Sequence, residues 1–320
     1  MPMTAGNRVS LKCRARRVLG CCLLLMTTFA WAATPAPLVT LLLSEPGGIY
    51  QAAAEQIRVN LLEIGEPTVQ IKTQALSERT GPGGETLLVA LGVKALQTAL
   101  ATRGDAPVLV LMTPRQSFEA LVGDHAFVGK RRVVTAIWLE QPYARQLALL
   151  RAALPRARRV GVLAGPANQG AGAELARAAE TLSMHVVPRS VGDSEEVFAA
   201  MADFANQVDA LLLLPDPVVV NRATLQTLML NTYRQRLPVL AYSESLSRSG
   251  ALLALFATPE QIGQEGASTI RALFRRGDLR LSPPTYPRAF TMKVNRSVAR
   301  ALAIELPAEK ELEARLEATP

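Results

Sequence analysis

From residue 38 onward, short apolar runs alternate with longer Ala- and Leu-rich stretches that carry a polar stripe. This alternation constrains the fold more than any other feature. Runs without polar interruption suit strands buried on both faces of a parallel sheet. Parallel neighbours need a crossover, and the striped stretches between the runs provide helices for it. The chain is therefore predicted to be an α/β protein.

Strands are predicted at Leu38–Leu43, Val69–Thr73, Leu87–Leu91, Val108–Met112 and Arg132–Leu139, with helices at Tyr50–Leu62 and Val93–Thr102. Segments 77–85 and 114–130 read as loops, the first rich in Gly and charge. A second series starts at Pro142, which suits a first helical turn, and runs to about Ala153. It continues as strand Arg159–Ala164, helix Gly170–Leu182, strand His185–Arg189, helix Ser194–Asn206, strand Asp209–Leu214, helix Arg222–Gln235 and strand Pro238–Tyr242. Strand Ala251–Ala257 and helix Pro259–Arg275 follow, with Thr258 as cap and Pro259 in the first turn. Phe290–Val294 reads as extended, Asn295–Ala303 as a short helix, and 308–320 as a charged, loosely docked helix. Two β-α series, 38–137 and 142–243, without close sequence repetition, imply two α/β lobes.

The N-terminus reads as an export segment. Arg8, Lys12, Arg14, Arg16 and Arg17 form a basic stretch, an apolar run of 12 residues extends from Val18 to Phe29, and Ala30-Trp31-Ala32 follows. Small residues at both ends of that triplet place a cut between Ala32 and Ala33, and the run is short of the about 20 residues of a membrane span. A periplasmic location is the expectation. Val18–Cys21 resembles a lipoprotein box, but the apolar run lies mostly after the cysteine, and the surroundings of Arg16-Arg17 match a twin-arginine signal poorly.

Processing would change the bulk properties. The segment holds five of the 35 basic residues and no acidic one, leaving 30 against 27, a balance of +3 in place of +8. The basic character is then poor support for nucleic-acid binding, and none is expected. All three cysteines, Cys13, Cys21 and Cys22, would leave as well, so neither disulfides nor cysteine metal sites are expected.

Catalytic patterns are sparse. The two histidines, His125 and His185, have no second ligand at metal spacing, and there is no G-x-S-x-G elbow. A Ser–His or Cys–His relay has little to draw on. Neither an enzymatic role nor a cofactor is expected. Gly123–Lys130 fails the phosphate-loop spacing. Gly165–Gly172 (GPANQGAG) reads either as a simple helix start or as an anion site, with Asn168 and Gln169 adding donors to its backbone amides. The basic knots at Arg156–Arg159 and Lys130–Arg132 lack interleaved aromatics and read as solvated ends of elements.

Several strings in order resemble the ABC transporter substrate-binding family with the type I periplasmic binding protein fold, and more narrowly its relatives that bind aromatic amino acids. They are Gln141-Pro142-Tyr143, Arg159–Gly165 (RVGVLAG), Asp209–Asp216 (DALLLLPD), Leu237-Pro238-Val239, Gly263–Gly277, and Asn295 with Ala299, Leu302 and Pro307. The segment 254–258 departs from the Gly-rich strand end usual there. The resemblance implies two Rossmann-like lobes with parallel sheets, 37–138 plus 258–284 and 139–257 plus 285–307, with 308–320 as a tail. It implies three crossings between them, near Leu139–Gln141, Ala257–Thr258 and Pro284–Thr285, acting as a hinge.

Ligands of such sheets sit beyond the carboxyl ends of the strands. Those ends nominate Ser44, Glu45, Gly92, Thr113 and Arg115 from the first lobe and Asn168, Asp216, Tyr242 and Ser243 from the second. Arg115 and the hydroxyls suit a carboxylate, and Glu45 or Asp216 an ammonium. Each small polar residue among them equally suits a helix cap, and Glu45-Pro46-Gly47 a plain turn. Sugars are less favoured, because processing would leave one tryptophan, Trp138, whose expected place is within the sheet although it could line the cleft. The expected function is capture of a small, amino-acid-like solute for an inner-membrane ABC permease. The alternative is a ligand-sensing module reporting to a membrane sensor, or an envelope scaffold, of the same fold.

Overall fold

The computed structural model describes residues 36–62, 69–79, 81, 83–124 and 132–317. The export segment, His125 and the Lys130-Arg131 pair lie outside the described residues. From the N-terminus the elements are β1 (Leu38–Leu43), α1 (Gly48–Leu62), β2 (Gln70–Ala75), β3 (Leu87–Leu91), α2 (Val93–Ala101), β4 (Val108–Thr113), α3 (Arg115–Asp124) and β5 (Val134–Trp138). Then come α4 (Tyr143–Ala153), β6 (Arg159–Ala164), α5 (Gly172–Glu180), β7 (His185–Ser190), α6 (Ser194–Asp203), β8 (Ala210–Leu212), α7 (Leu225–Arg234), β9 (Val239–Ala241) and α8 (Glu244–Arg248). The chain closes with β10 (Leu253–Phe256), α9 (Pro259–Arg276), β11 (Thr291–Val294), α10 (Arg296–Ala301) and α11 (Glu309–Glu317).

The strands form two sheets. The first runs β2-β1-β3-β4-β5, all parallel, and the second runs β11-β10-β9-β8-β6-β7, parallel except for β11. The two-lobed α/β fold read from the sequence is the one observed. Interior strands are buried along their length, as in β3 and β4, because helices cover both faces. The edges are blunted by polarity. β2 (QIKTQA) is mostly polar with no fully buried residue, and β7 carries Pro188, which donates no ladder hydrogen bond.

In the first lobe, α1 and α9 cover one face of the sheet and α2 and α3 the other. The approach of α9 to α1 depends on Gly263, where any side chain would meet the Ala53 carbonyl oxygen at 2.6 Å. In the second lobe, α4, α5 and α11 cover one face and α6, α7 and α8 the other. Helix α9 is bounded as its sequence dictates. Thr258 and Gln261 form a reciprocal capping box at its start, and Gly277 takes a left-handed conformation at its end.

Four readings are corrected. The segment read as a loop over 114–130 contains α3, whose apolar signal is weak because only Phe118 in it is fully enclosed. Segment 166–171 is a 3-10 turn, so α5 starts later than read. The short helix α8, capped by the Ser243 hydroxyl, was not expected. The C-terminal helix is firmly docked, since Leu312 and Leu316 are buried in the second lobe's core.

Candidate functional site

In each sheet the parallel strands end on the same side, so the loops after them share one edge of each lobe. These edges face each other. Arg115, at the start of α3 in the first lobe, extends Nη1 to Glu174 on α5 of the second lobe at 2.6 Å. The same nitrogen donates to the Tyr286 hydroxyl at 2.7 Å, and Nε donates to Glu119 at 2.7 Å. Its guanidinium carbon lies 5.0 Å from the Trp138 ring centre and 5.8 Å from that of Tyr286, and the two rings meet edge-on at 4.6 Å. Trp138 is thus half-buried between its sheet and the cleft and is not enclosed in the sheet. Between α3 and the 3-10 turn a depression of about 470 Å³ opens, lined by Gln97, Gln116, Glu119, Pro166, Ala167 and Gly170.

Behind Arg115 lies Glu140, only 4% exposed. Its Oε1 accepts the Arg115 backbone N–H at 2.9 Å, while Oε2 has no hydrogen-bond partner. The indole Nε1 of Trp138 is likewise buried and unpartnered. Burial pushes the Glu140 carboxyl up to about 7, against a smaller pull from its own and the Arg115 backbone amides. Burial also raises Tyr143, and pushes Tyr242 and Tyr286 up to about 12; the Glu140 charge adds to the shift of all three tyrosines.

The crossings knit the lobes together. Thr285 adds to the edge of β5, exchanging backbone hydrogen bonds with Ala136 and Trp138 at 2.9 Å. Gln141 donates to the Ala289 carbonyl at 3.0 Å, and Gln261 donates to that of Phe290 at 3.2 Å. These bonds tie segment 138–141 and Gln261 of α9 to segment 285–290.

The nominated residues divide into two groups. Arg115, Asn168, Asp216 and Tyr242 lie at the facing edges, but Asn168 and Asp216 are only 2% and 3% exposed and are held by each other. The Asn168 amide donates to Asp216 at 2.9 Å, and Asp216 also accepts the Val218 N–H at 2.9 Å. Gly165 gives this carboxylate room, since a side chain there would strike it. The others are taken up by local structure. Ser44 accepts the Ala95 N–H at 3.0 Å, and Ser243 caps α8. Thr113 is fully buried, and Gly92 (φ +94) lets Tyr50 and Ser44 approach. Glu45 is exposed and pairs with Lys94 at 2.7 Å. Sequence reasoning missed Glu140, Tyr143, Glu174 and Tyr286. Glu140 carried a signal, a lone acid at the end of an apolar strand beside a crossing. His185 is exposed on an edge strand, and among the described residues no group of three potential metal ligands gathers.

A family model described as ABC transporter substrate binding protein matches residues 70–315. No curated protein sequence matches the chain. Among solved structures, the chain is similar to an ABC domain from Streptococcus pneumoniae in complex with L-Trp, at TM-score 0.61 and 17% identity over 87% of this chain and 98% of that one. It is similar to a conserved domain protein from Vibrio cholerae, at TM-score 0.61 and 18% identity over 88% and 98%. It is also similar to a ligand-free, open substrate-binding protein with adhesive properties from Clostridium difficile, at TM-score 0.67 and 17% identity over 86% and 98%. At these identities the structural likeness is one of fold.

Proposed function

We propose a role from one premise: the chain belongs to the ABC transporter substrate-binding protein family. In this reading it captures a small, polar, amino-acid-like solute between its lobes and presents it to an inner-membrane ABC permease. The observation that carries the reading is the meeting of both lobes at one polar, aromatic-lined place. Arg115 spans the gap to Glu174, with Trp138, Tyr286 and the buried Glu140 around it. A solute touching both edges favours the closed arrangement over the open one, which is how binding becomes a signal a permease can read. The basic, then apolar, then small-residue N-terminus supports export before the protein works. The L-Trp bound to the streptococcal protein supports an amino-acid-like ligand.

A thermal-shift screen of amino acids, short peptides, purines and sugars tests the reading. A ligand at a hundred times its Kd adds about 2.7 kcal/mol, which raises the melting temperature by several degrees in a chain of this size. If no small molecule raises it, the solute-binding reading falls. N-terminal sequencing of protein recovered from the cell envelope checks export, with Ala33 as the expected first residue.

A further inference from the structure

We propose that the protein carries a second small-molecule site, behind the first sheet and apart from the cleft, which takes a small organic acid with an apolar body and a hydroxyl group. A cavity of about 290 Å³ lies between the C-terminal half of α9, the edge strand β5 and segment 282–288. It shares no residue with the depression between α3 and the 3-10 turn. Ile137 of β5 packs toward α9 on this side, whereas Ala136 and Trp138 belong to the core on the opposite face of the sheet. The opening follows from the sequence. Among the described residues, segment 282–288 pairs its backbone with β5 at Thr285 alone, because Pro283 and Pro284 have no amide to donate. An extended segment thus flanks β5 where a third helix would have filled the space beside α9.

The lining selects the ligand class. Leu109, Ile137 and Leu273 are buried and offer an apolar floor, as small-molecule sites generally do. Three hydroxyls stand above it, and each has already spent its proton. Thr135 donates to the Ser282 carbonyl at 2.5 Å, Ser268 to that of Gln264 at 2.9 Å, and Thr269 to that of Glu265 at 3.0 Å. Only their lone pairs remain, so they can accept but not donate. Glu265 adds a further acceptor: one carboxylate oxygen takes the Arg288 amide at 3.0 Å, and the other has no hydrogen-bond partner among the described residues. This wall therefore calls for a donor on the ligand. The rim calls for an anion. Arg276 is committed to Asp278 at 3.4 Å and to the Arg280 carbonyl at 2.9 Å, but the Arg288 guanidinium makes no hydrogen bond among the described residues. A free guanidinium receives a carboxylate through two parallel hydrogen bonds. Segment 282–288 also joins α9 to β11 of the second sheet, so an occupant braces the link between the two sheets.

The test is isothermal titration of the full chain with para-hydroxybenzoate, benzoate and para-hydroxybenzamide. The first is expected to bind with a Kd of about 0.1–1 mM, ordinary for a one-ring ligand. Benzoate lacks the donor and the amide lacks the charge, so each is expected to bind about 5-fold or more weakly. Arg288→Leu is expected to weaken para-hydroxybenzoate by about 10-fold. Ala272→Phe, a change at an exposed helix position that fills the cavity, is expected to abolish binding without lowering the melting temperature. Amide hydrogen exchange should slow over 265–288 when the acid is bound. Protection on α3 and the 3-10 turn instead, with both variants at wild-type affinity, would put the acid in the cleft; the second site falls and the cleft reading stands. Equal binding of all three probes would overturn the ligand class, and no binding at several millimolar would overturn the site. Should either variant not fold, the three probes and the exchange map on the wild-type chain decide.

Discussion

Two glutamate side chains are buried at opposite ends of the first sheet, one before β3 and one in the crossing after β5, and they are treated in opposite ways. Glu85 precedes β3, at the edge away from the cleft, with its side chain 3% exposed. Arg79 pairs with it at 2.5 Å, Arg132 approaches to 4.0 Å, and the Gly83 amide donates at 2.8 Å. These partners outweigh burial and hold its carboxyl below the usual range. Glu140 follows β5 at the cleft edge, is 4% exposed, and is pushed up to about 7. The same side chain is completed by the chain itself at one end and left incomplete at the other. A buried acid that the fold pairs is held in its charged form, whereas one with few partners is pushed toward its neutral form.

The contrast is sharpest in Glu85→Ala, which strands two buried guanidinium groups. It should cost about 3–5 kcal/mol in urea unfolding; a loss no larger than that of an exposed glutamate would erase the distinction. Next is the pH response. Glu140, raised from 4.5 to about 7 on folding, stabilises the protein below its ordinary value, and that contribution vanishes as pH rises through about 7. The stability of wild type relative to Glu140→Gln should therefore fall by about 3 kcal/mol between pH 4.5 and 7, measured by denaturant unfolding across that window. Glu85 has the opposite sign: its stabilisation is present at neutral pH and is lost on acidification through its lowered value. A smaller effect is expected from Asp216→Ala, about 1–2 kcal/mol, because the Val218 amide and Asn168 lose their acceptor. Smallest is Glu174→Gln. Arg115 keeps Glu119 and Tyr286, so melting should move by less than about 1 kcal/mol. Small-angle scattering should nonetheless report a more open average arrangement, because a link between the lobes is weakened.

The sheets were legible because their strands are uninterrupted apolar runs, and β1, β3 and β6 fall at the residues the sequence names. The cap at Thr258 was readable because a threonine directly before a first-turn proline has few other uses. Helix α3 was hidden because RQSFEALVGD offers Phe118 to the core and little else. The cleft was half legible. Strand ends nominate Arg115 and Asp216 but cannot separate a ligand contact from a cap, and Ser44 and Ser243 turned out to cap helices. Glu174 and Tyr286 were out of reach, because they belong to the cleft only through the approach of the two lobes and the path of the third crossing.

The return of α9 to the first lobe has a consequence for how the molecule comes into being. The face of the first sheet that α9 covers, together with the groove along α1, stays bare until residue 276 has been made. By then nearly all of the second lobe already exists as chain. Arg271, which donates to the Asn60 carbonyl at 2.8 Å, closes a loop of 211 residues when it docks. Such distant closure is slow, so the nascent protein spends its synthesis with half a core unsealed. An N-terminal half made alone should accordingly be sticky and protease-sensitive, and adding a separate peptide of residues 259–276 should quiet it.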